Sequence, residues 1–430
     1  MTEAAVGRTD LPPGAAPTAA LEDAGVEPRE RRLDTFRSLR YRDYRLLWIG
    51  TLFDSSGQWI QNTTVPWLVY NLTGSPFLLG AINASRALPL LVLGPLGGVI
   101  ADRSDRKWLM LWTQVMLFVT ALTMSIIIVT GHLQVWELFV FMGISGVAWA
   151  FNNPVRQSVV PNLVPKESLM NALALNSAGF NFTRIVGPAV GGLMLATVGA
   201  GENFMIQAVA YLGVASMVVQ MRIPPVQRAN TVSVRENLVD GARYVWGEPR
   251  LRMFMMLALV PMVMGMPYQT LFPVFAKKVL HQGEIGFGLE LAATGVGAVL
   301  GTLTIATMGT VRRKGLMVLG AIFAMGIAIL MFSQSRSFPL SLGLLVISGA
   351  AQMVYITTNQ TILQLMIPDH LRGRVMGIYM LNMGLMPLGA LFAGSVASAF
   401  GAPTAAAIMG GSVASLALFI GIKSPSVRAA

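Results

Sequence analysis

The chain has 430 residues, of which 54% are apolar and only 12% charged, with a net charge of +11. Soluble domains carry roughly 25% charged residues, so this chain lacks the polar side chains to coat the two or three soluble domains its length would otherwise make, and hydrocarbon is the expected surrounding of most of its surface. Cysteine is absent and histidine occurs three times, which excludes a disulfide framework, a thiolate metal site and a His-rich metal centre.

In chain order, residues 1–40 contain Pro, Ala, acids and Arg but no apolar core of the kind a signal peptide needs. They read as a disordered, basic cytoplasmic tail. Twelve stretches then reach the ~20 mostly apolar residues that a helix needs to cross a bilayer core. They lie near 45–70, 77–101, 108–130, 135–156, 168–198, 203–222, 251–276, 285–310, 315–333, 338–365, 373–399 and 403–422. Pro66, Pro89, Pro188, Pro261, Pro267, Pro273 and Pro387 fall inside them, so kinks are expected. Between the sixth and seventh stretches, 223–250 is the longest internal loop. There Ser233-Val234-Arg235-Glu236 forms a capping box ahead of Leu238 and Val245, which predicts a short amphipathic helix on the cytoplasmic face, ended by Glu248-Pro249. The expected organisation is a bundle over 41–222, the linker 223–250, a second bundle over 251–423 and a cytoplasmic tail over 424–430.

Lys and Arg orient this arrangement. Twenty-six of the 31 fall on the side of the N-terminal tail, Arg103, Arg106, Lys107, Arg156, Arg312, Arg313 and Lys314 among them. The opposite loops hold Lys277, Lys278 and Arg336, and Arg86 and Arg184 lie inside spans. Both termini are expected to be cytoplasmic, and the spread of the basic residues between apolar runs argues against a nucleic-acid surface. The chain also repeats itself. Ile144-Ser145-Gly146 recurs as Ile347-Ser348-Gly349, and at the same offset Gly98 matches Gly301 and Pro165 matches Pro368. Two parallel repeats of six helices about an axis along the membrane normal follow, with a cavity between them. The fold class read here is an all-α polytopic membrane protein of twelve transmembrane helices in two pseudo-symmetric six-helix bundles.

Charges inside apolar stretches point to function. Asp54 lies in the first span near Gln58 and Gln61, Arg86 in the second, Arg184 in the fifth and Glu290 in the eighth. A buried charge needs a partner, and Asp54 with Arg184 is the expected pair if the first and fifth spans adjoin. All four are candidates for proton coupling, Asp54 first. Polar and aromatic side chains that should face inward, and so line the cavity, are Gln58, Gln61, Trp67, Asn152, Asn153, Asn176, Asn181, Tyr268, Gln269, Tyr355, Asn359, Gln360 and Asn382. The 27 methionines are mostly packing.

Two local runs carry a conformational mechanism. After the second span, Gly97-Gly98-Val99-Ile100-Ala101-Asp102-Arg103-Ser104-Asp105-Arg106-Lys107 combines small residues for close helix approach with an acid able to cap a neighbouring helix or pair with Arg. Gly98, Asp102, Arg103, Arg106 and Lys107 form the candidate latch. The second-half counterpart keeps Arg312, Arg313 and Lys314 but lacks the acid. In the fifth span Gly187-Pro188-Ala189-Val190-Gly191-Gly192 makes a smooth, bent face suited to sealing against the other half.

The run from Gly97 to Lys107 resembles the cytoplasmic signature of the major facilitator superfamily. The core Gly-Pro-x-x-Gly-Gly, formed by Gly187, Pro188, Gly191 and Gly192, resembles the antiporter signature of its exporters, with Thr183 where a further glycine often stands. Val69-Tyr70-Asn71-Leu72-Thr73-Gly74-Ser75-Pro76 and Asn153-Pro154-Val155-Arg156 through Pro165 are similar to the branch that holds enterobactin-type siderophore exporters and macrolide-type efflux pumps. The resemblance covers about 35–422. It implies a secondary transporter of the bacterial cytoplasmic membrane, driven by a proton gradient without nucleotide hydrolysis or cofactor. Alternating access would be to a cavity lined by the first, fourth, seventh and tenth helices. The leading expectation is proton-coupled efflux of a small, largely apolar organic molecule by a monomer whose partners are its substrate and membrane lipid. A lipid or lysolipid flippase, a nutrient importer and a transporter-like sensor are the alternatives. An enzyme is disfavoured, since no phosphate-binding loop and no intramembrane metal spacing is present.

Overall fold

The computed structural model describes residues 35–223, 234–308 and 313–428, with backbone alone over 95–103, 234–238, 370, 380–383 and 426. The helices are α1 (Arg42–Thr73), α2 (Pro76–Arg103), α3 (Arg106–Val129), α4 (Val135–Leu163), α5 (Lys166–Thr197), α6 (Ala200–Gln220) and α7 (Val234–Gly247). There follow α8 (Pro249–Val260), α9 (Phe272–Val274), α10 (Gly283–Met308), α11 (Lys314–Gln334) and α12 (Phe338–Met366). The chain ends with α13 (Asp369–Leu381), α14 (Met386–Phe400), α15 (Ala402–Lys423) and α16 (Pro425–Arg428). Among the described residues nine helical segments are long and apolar enough to cross a membrane. α1, α5 and the pair α13–α14 occupy the other three expected positions, so the helix count fits the twelve spans read from the sequence.

Helix ends follow local chemistry. α1 stops at Gly74, which takes φ +63° and returns its N–H to the Tyr70 carbonyl, a left-handed cap that glycine adopts without Cβ strain. α3 starts on Asp105, whose carboxylate accepts from the N–H groups of Lys107 and Trp108. α4 starts on a capping box between Gln134 and Glu137. The expected end of the fourth span at 156 is corrected by the structure. α4 carries Pro154 and Pro161 inside it and runs to Leu163, which moves Arg156 from the expected loop into the helix. The seventh span is interrupted instead. Pro261, Pro267 and Pro273 each remove a backbone donor, and between α8 and Val279 the chain passes through π-helical and 3-10 turns around α9. α13 and α14 are joined by a 3-10 turn at Asn382–Leu385.

The helices pack as two groups. Within the first, α2 lies on α4, α3 on α6, and α1 on α5 and α6. Within the second, α10 lies on α12, α11 on α12 and α15, and α14 on α15. The sequence repeat has a structural counterpart. A side chain at Gly146 would collide with the Arg86 carbonyl of α2, and one at Gly349 with the Thr294 carbonyl of α10. Each Ile-Ser-Gly run is thus the point where two helices of its own group meet backbone to backbone, as small residues allow where lipid supplies no hydrophobic drive to association.

Some segments outside the two groups are held against them. Arg37–Arg40, expected within the tail, forms a 3-10 turn, and Ser38 bonds Ser168 and Asn171 of α5. Residues 1–34 and the proposed capping residue Ser233 lie outside the described residues. α7 lies within the segment 223–250 expected as the linker. It docks on α13, with Arg374 donating to Asp240 at 2.8 Å and Gly241 against the Arg374 carbonyl.

Glycine placement gives a stability test. A methyl group at Gly297 would drive into the Val346 carbonyl of α12, whereas Gly320 has open space around it. Gly297→Ala is expected to destabilise thermal unfolding in detergent by about 1–3 kcal/mol. Gly320→Ala is expected to stabilise it slightly, since alanine is the better helix former by up to about 1 kcal/mol.

Candidate functional site

The end of the molecule where the described chain begins and ends, at Thr35 and Arg428, is called here the terminal end, and the other the distal end. Twelve residues into α1, Asp54 is only 2% exposed. Its Oδ2 accepts from Arg156 Nη1 at 2.6 Å and from Gln58 Nε2 at 3.0 Å, and its Oδ1 accepts from Gln114 Nε2 at 3.0 Å. α1, α3 and α4 therefore converge on one carboxylate. The network continues. Gln58 Oε1 accepts from the Trp149 indole at 3.0 Å, and the Arg86 guanidinium lies 5.6 Å over the Trp149 ring while donating to Asn62 at 2.9 Å. Charge, hydrogen bonds and cation–π contact thus join four helices in low dielectric, where each satisfied bond counts for more than in water.

The expected partner of Asp54 is corrected. α1 and α5 do adjoin, but the ion pair is with Arg156 of α4. Arg184 sits on α5 at the seam with α10, its carbonyl against Gly295, within electrostatic range of Tyr268. The sequence signal for Arg156 was present: Asn152 and Arg156 are four residues apart and share a helix face. Ending the fourth span at 156 and counting Arg156 with the cytoplasmic basic residues hid it. Gln114 and Trp149 were also missed.

A cavity of about 330 Å³ opens beside Asp54. α1 contributes Asp54 and Gln58, α4 contributes Trp149, Asn152, Asn153 and Arg156, and α5 contributes Asn176, Phe180 and Asn181. All belong to the first group of helices, with Gln58 and Trp149 near the middle of their helices and the others on the terminal side. Of the expected lining, Gln58, Asn152, Asn153, Asn176 and Asn181 are brought together here. Gln61 is not. It is buried in the first group, accepting from Gln207 at 2.9 Å.

The second-group candidates are spread through its interior. Tyr268 donates to or accepts from Ser348 at 3.1 Å, and the Tyr355 hydroxyl donates to the Ala258 carbonyl at 3.0 Å. Gln269 is half-buried and Asn359 fully buried, near Tyr379. Glu290 is fully buried, and neither carboxyl oxygen has a hydrogen-bond partner. Tyr268 is within electrostatic range of both Glu290 and Arg184.

The glycine motif of α5 serves two surfaces. A Cβ at Gly187 would sit 2.6 Å from Trp59 Cβ, and one at Gly191 3.2 Å from Thr63 Oγ1, so these two admit α1. A Cβ at Gly192 would sit 2.7 Å from the Glu284 carbonyl oxygen, and one at Gly288 2.5 Å from the Pro188 carbonyl oxygen, so this part of the motif meets α10 of the second group. α2 meets α14 in the same way, with Gly394 against the Pro76 carbonyl and Phe77 N–H donating to Ser398 at 3.0 Å. These contacts lie towards the distal end. There Trp67 stacks on Phe287 at 6.1 Å, Lys277 bonds Asn71 and lies over the Trp67 ring, and Lys278 lies over the Tyr70 ring at 5.7 Å. The two groups are sealed at the distal end, and the cavity lies at the terminal end.

Of the candidate latch, the side chains of Gly98, Asp102 and Arg103 lie outside the described residues. Arg106 donates to the Ser158 carbonyl of α4 at 3.2 Å. Lys107 donates to the Val219 and Met221 carbonyls at the end of α6 at 2.7 and 2.9 Å, where a cation complements the helix dipole.

A two-group all-α bundle with a polar cavity between membrane-spanning helices and a glycine-lined seam defines a major facilitator transporter. The chain belongs to the transmembrane secretion effector family of that superfamily, which matches residues 33–429. It is 27% identical over 355 residues to the staphyloferrin A transporter of Staphylococcus aureus, covering 82% of this chain and 89% of that one. It is 27% identical over 368 residues to the multidrug efflux pump Tap of Mycolicibacterium fortuitum (83% and 89% covered). To macrolide efflux protein A of Streptococcus pyogenes it is 25% identical over 377 residues (84% and 92% covered). The solved structure of a D-xylose-proton symporter superposes with a TM-score of 0.68 at 16% identity, covering 92% of this chain and 99% of that one. The protein is a multi-pass membrane transporter and not an enzyme.

Two tests follow from the geometry. Arg156→Gln leaves Asp54 buried without its counter-charge and is expected to destabilise the fold by about 3–5 kcal/mol. Adding Asp54→Asn should recover much of that loss in thermal unfolding, and failure to do so would mean that the pair does not act as a unit. At the distal seal, the chain offers no cysteine background. Joining Asn71→Cys to Lys277→Cys with a short cleavable thiol cross-linker should stop transport until the link is reduced.

Proposed function

We propose that this protein exports a small organic molecule from the bacterial cytoplasm in exchange for protons, by alternating access. The termini face the cytoplasm in this reading, which the Lys and Arg distribution supports. The terminal end is then the cytoplasmic face, and the structure corresponds to the state that takes up substrate from inside. The observation that carries the proposal is a buried carboxylate, Asp54, set in the wall of a cavity that lies at the terminal end beneath a sealed distal end.

The chemistry follows from charge balance. Ionised Asp54 holds Arg156, and the pair is neutral in a low-dielectric wall. Protonation of Asp54 leaves the guanidinium unbalanced, and an uncompensated buried charge is costly. The two protonation states therefore favour different packings of α1, α3 and α4, the helices that hold the carboxylate. If opening at the distal end exposes Asp54 to the acidic side, the proton gradient drives the cycle with no cofactor. Glu290, buried without a partner in the second group, is the second candidate for proton binding. The names of the relatives, a staphyloferrin A transporter, a multidrug efflux pump and a macrolide efflux protein, support a siderophore-like or drug-like substrate.

Reconstituted in liposomes with an imposed pH gradient, the protein should move radiolabelled chloramphenicol, a neutral probe, against its own gradient towards the acidic side. Asp54→Asn should lower the gradient dependence of that flux by about tenfold, the scale of a typical coupling free energy. An unchanged pH dependence in the variant would remove Asp54 from coupling, and flux only towards the alkaline side would make the protein an importer.

A further inference from the structure

The cavity wall contains hydrogen-bonding atoms that the protein leaves unused. Asn152 is 3% exposed, yet its Oδ1 has no hydrogen-bond partner. Arg156 spends Nη1 on Asp54, while its Nη2, equally buried, has none. Asn176 Oδ1 is a third such atom. All three residues line the same cavity. Asn152 and Arg156 stand one turn apart on one face of α4, and Asn176 comes from α5. Leaving a buried polar atom unpaired costs about 1–3 kcal/mol, so three in one wall form an incomplete set that an occupant completes. The neighbouring polar groups are not available in the same way. Both Asp54 oxygens already accept, and Gln58 and Trp149 are bonded to each other.

We infer that Arg156 Nη2, Asn152 Oδ1 and Asn176 Oδ1 form a substrate subsite for a neutral group that carries an acceptor beside a donor, such as a carbonyl or hydroxyl oxygen next to an O–H or N–H. The inference rests on the export reading and names its substrate class. The atom types set the chemistry: one donor and two acceptors. Charge selects against ions. The Arg156 cation is already balanced by Asp54, so the wall offers no net charge to hold an ion. Leu47, Val160 and Phe180, which also line the cavity, receive the apolar body of the molecule. The substrate class expected from composition, largely apolar, becomes an apolar body with one polar, hydrogen-bonding face.

The test uses the purified full chain and a matched pair of probes, read by quenching of tryptophan fluorescence. Chloramphenicol is neutral and carries two hydroxyls and an amide; its 1,3-diacetate has the hydroxyls capped. The wild type should bind chloramphenicol about tenfold tighter than the diacetate, and Asn152→Leu and Asn176→Ala should each remove most of that preference by weakening chloramphenicol alone. Equal binding of the two probes, or binding of neither, would overturn the subsite and leave the wall to ordered water. The wild-type comparison requires no variant to fold. Export of chloramphenicol from proteoliposomes separates the two claims. If the wild type exports it but shows no binding preference over the diacetate, the subsite alone fails; if it shows the preference but no export, the export reading fails.

Discussion

In hydrocarbon no solvent pushes apolar helices together, because lipid tails are as apolar as the side chains they would replace. What holds this molecule in shape is close backbone approach, and glycines decide where it happens. At the seam between the two helix groups Gly192 and Gly288 bring α5 and α10 into contact at a distance no side chain permits, and Gly394 does the same for α14 on α2. Because these contacts gather at the distal end, the groups are joined there and leave room at the terminal end.

The same solvent dictates the interior. A carboxylate and a guanidinium in a membrane domain survive only if they neutralise each other and fill their remaining hydrogen-bond positions. Asp54 does so with three donors from α1, α3 and α4. Arg86 does so by a different route, with one hydrogen bond and the face of Trp149. Groups that are fully paired in one state resist change, whereas Arg156 Nη2, Asn152 and Asn176 keep unpaired atoms in the cavity wall. The site therefore combines a saturated carboxylate with unsaturated neighbours, which is the combination a transporter needs if a proton and a substrate are to act on one set of helices.

Much of the fold was legible because it depends on composition and on small residues. Apolar runs of fixed length located the spans, and the recurrence of Ile144-Ser145-Gly146 as Ile347-Ser348-Gly349 marked two equivalent helix crossings. Gly187, Pro188, Gly191 and Gly192 were recognisable as a sealing face because the absence of side chains is itself visible in a sequence. Partner identity was less legible. Arg156 read as a loop residue since the apolar run of the fourth span was ended at 156 and the arginine counted with the cytoplasmic basic residues, while the fold carries α4 on to Leu163. Asp54 was paired with Arg184 because both lie within spans, but adjacency of α1 and α5 says nothing about which faces the side chains share. Tyr355 shows the same limit. Its hydroxyl bonds a backbone carbonyl within its own group, and a polar residue serving such a bond looks no different in sequence from one that meets a substrate.

The central claim is that the two helix groups are rigid partners hinged about the glycine seam, closed at one end only at any time. Double electron–electron resonance tests it directly, since the natural chain has no cysteine to label by accident. One spin pair would sit at the terminal end, Asn162→Cys with Thr361→Cys, and another at the distal end, Thr130→Cys with Ser337→Cys. The account predicts that lowering the pH lengthens the distal distances while shortening the terminal ones. Distances that stay fixed at both ends, or that lengthen together, would contradict it.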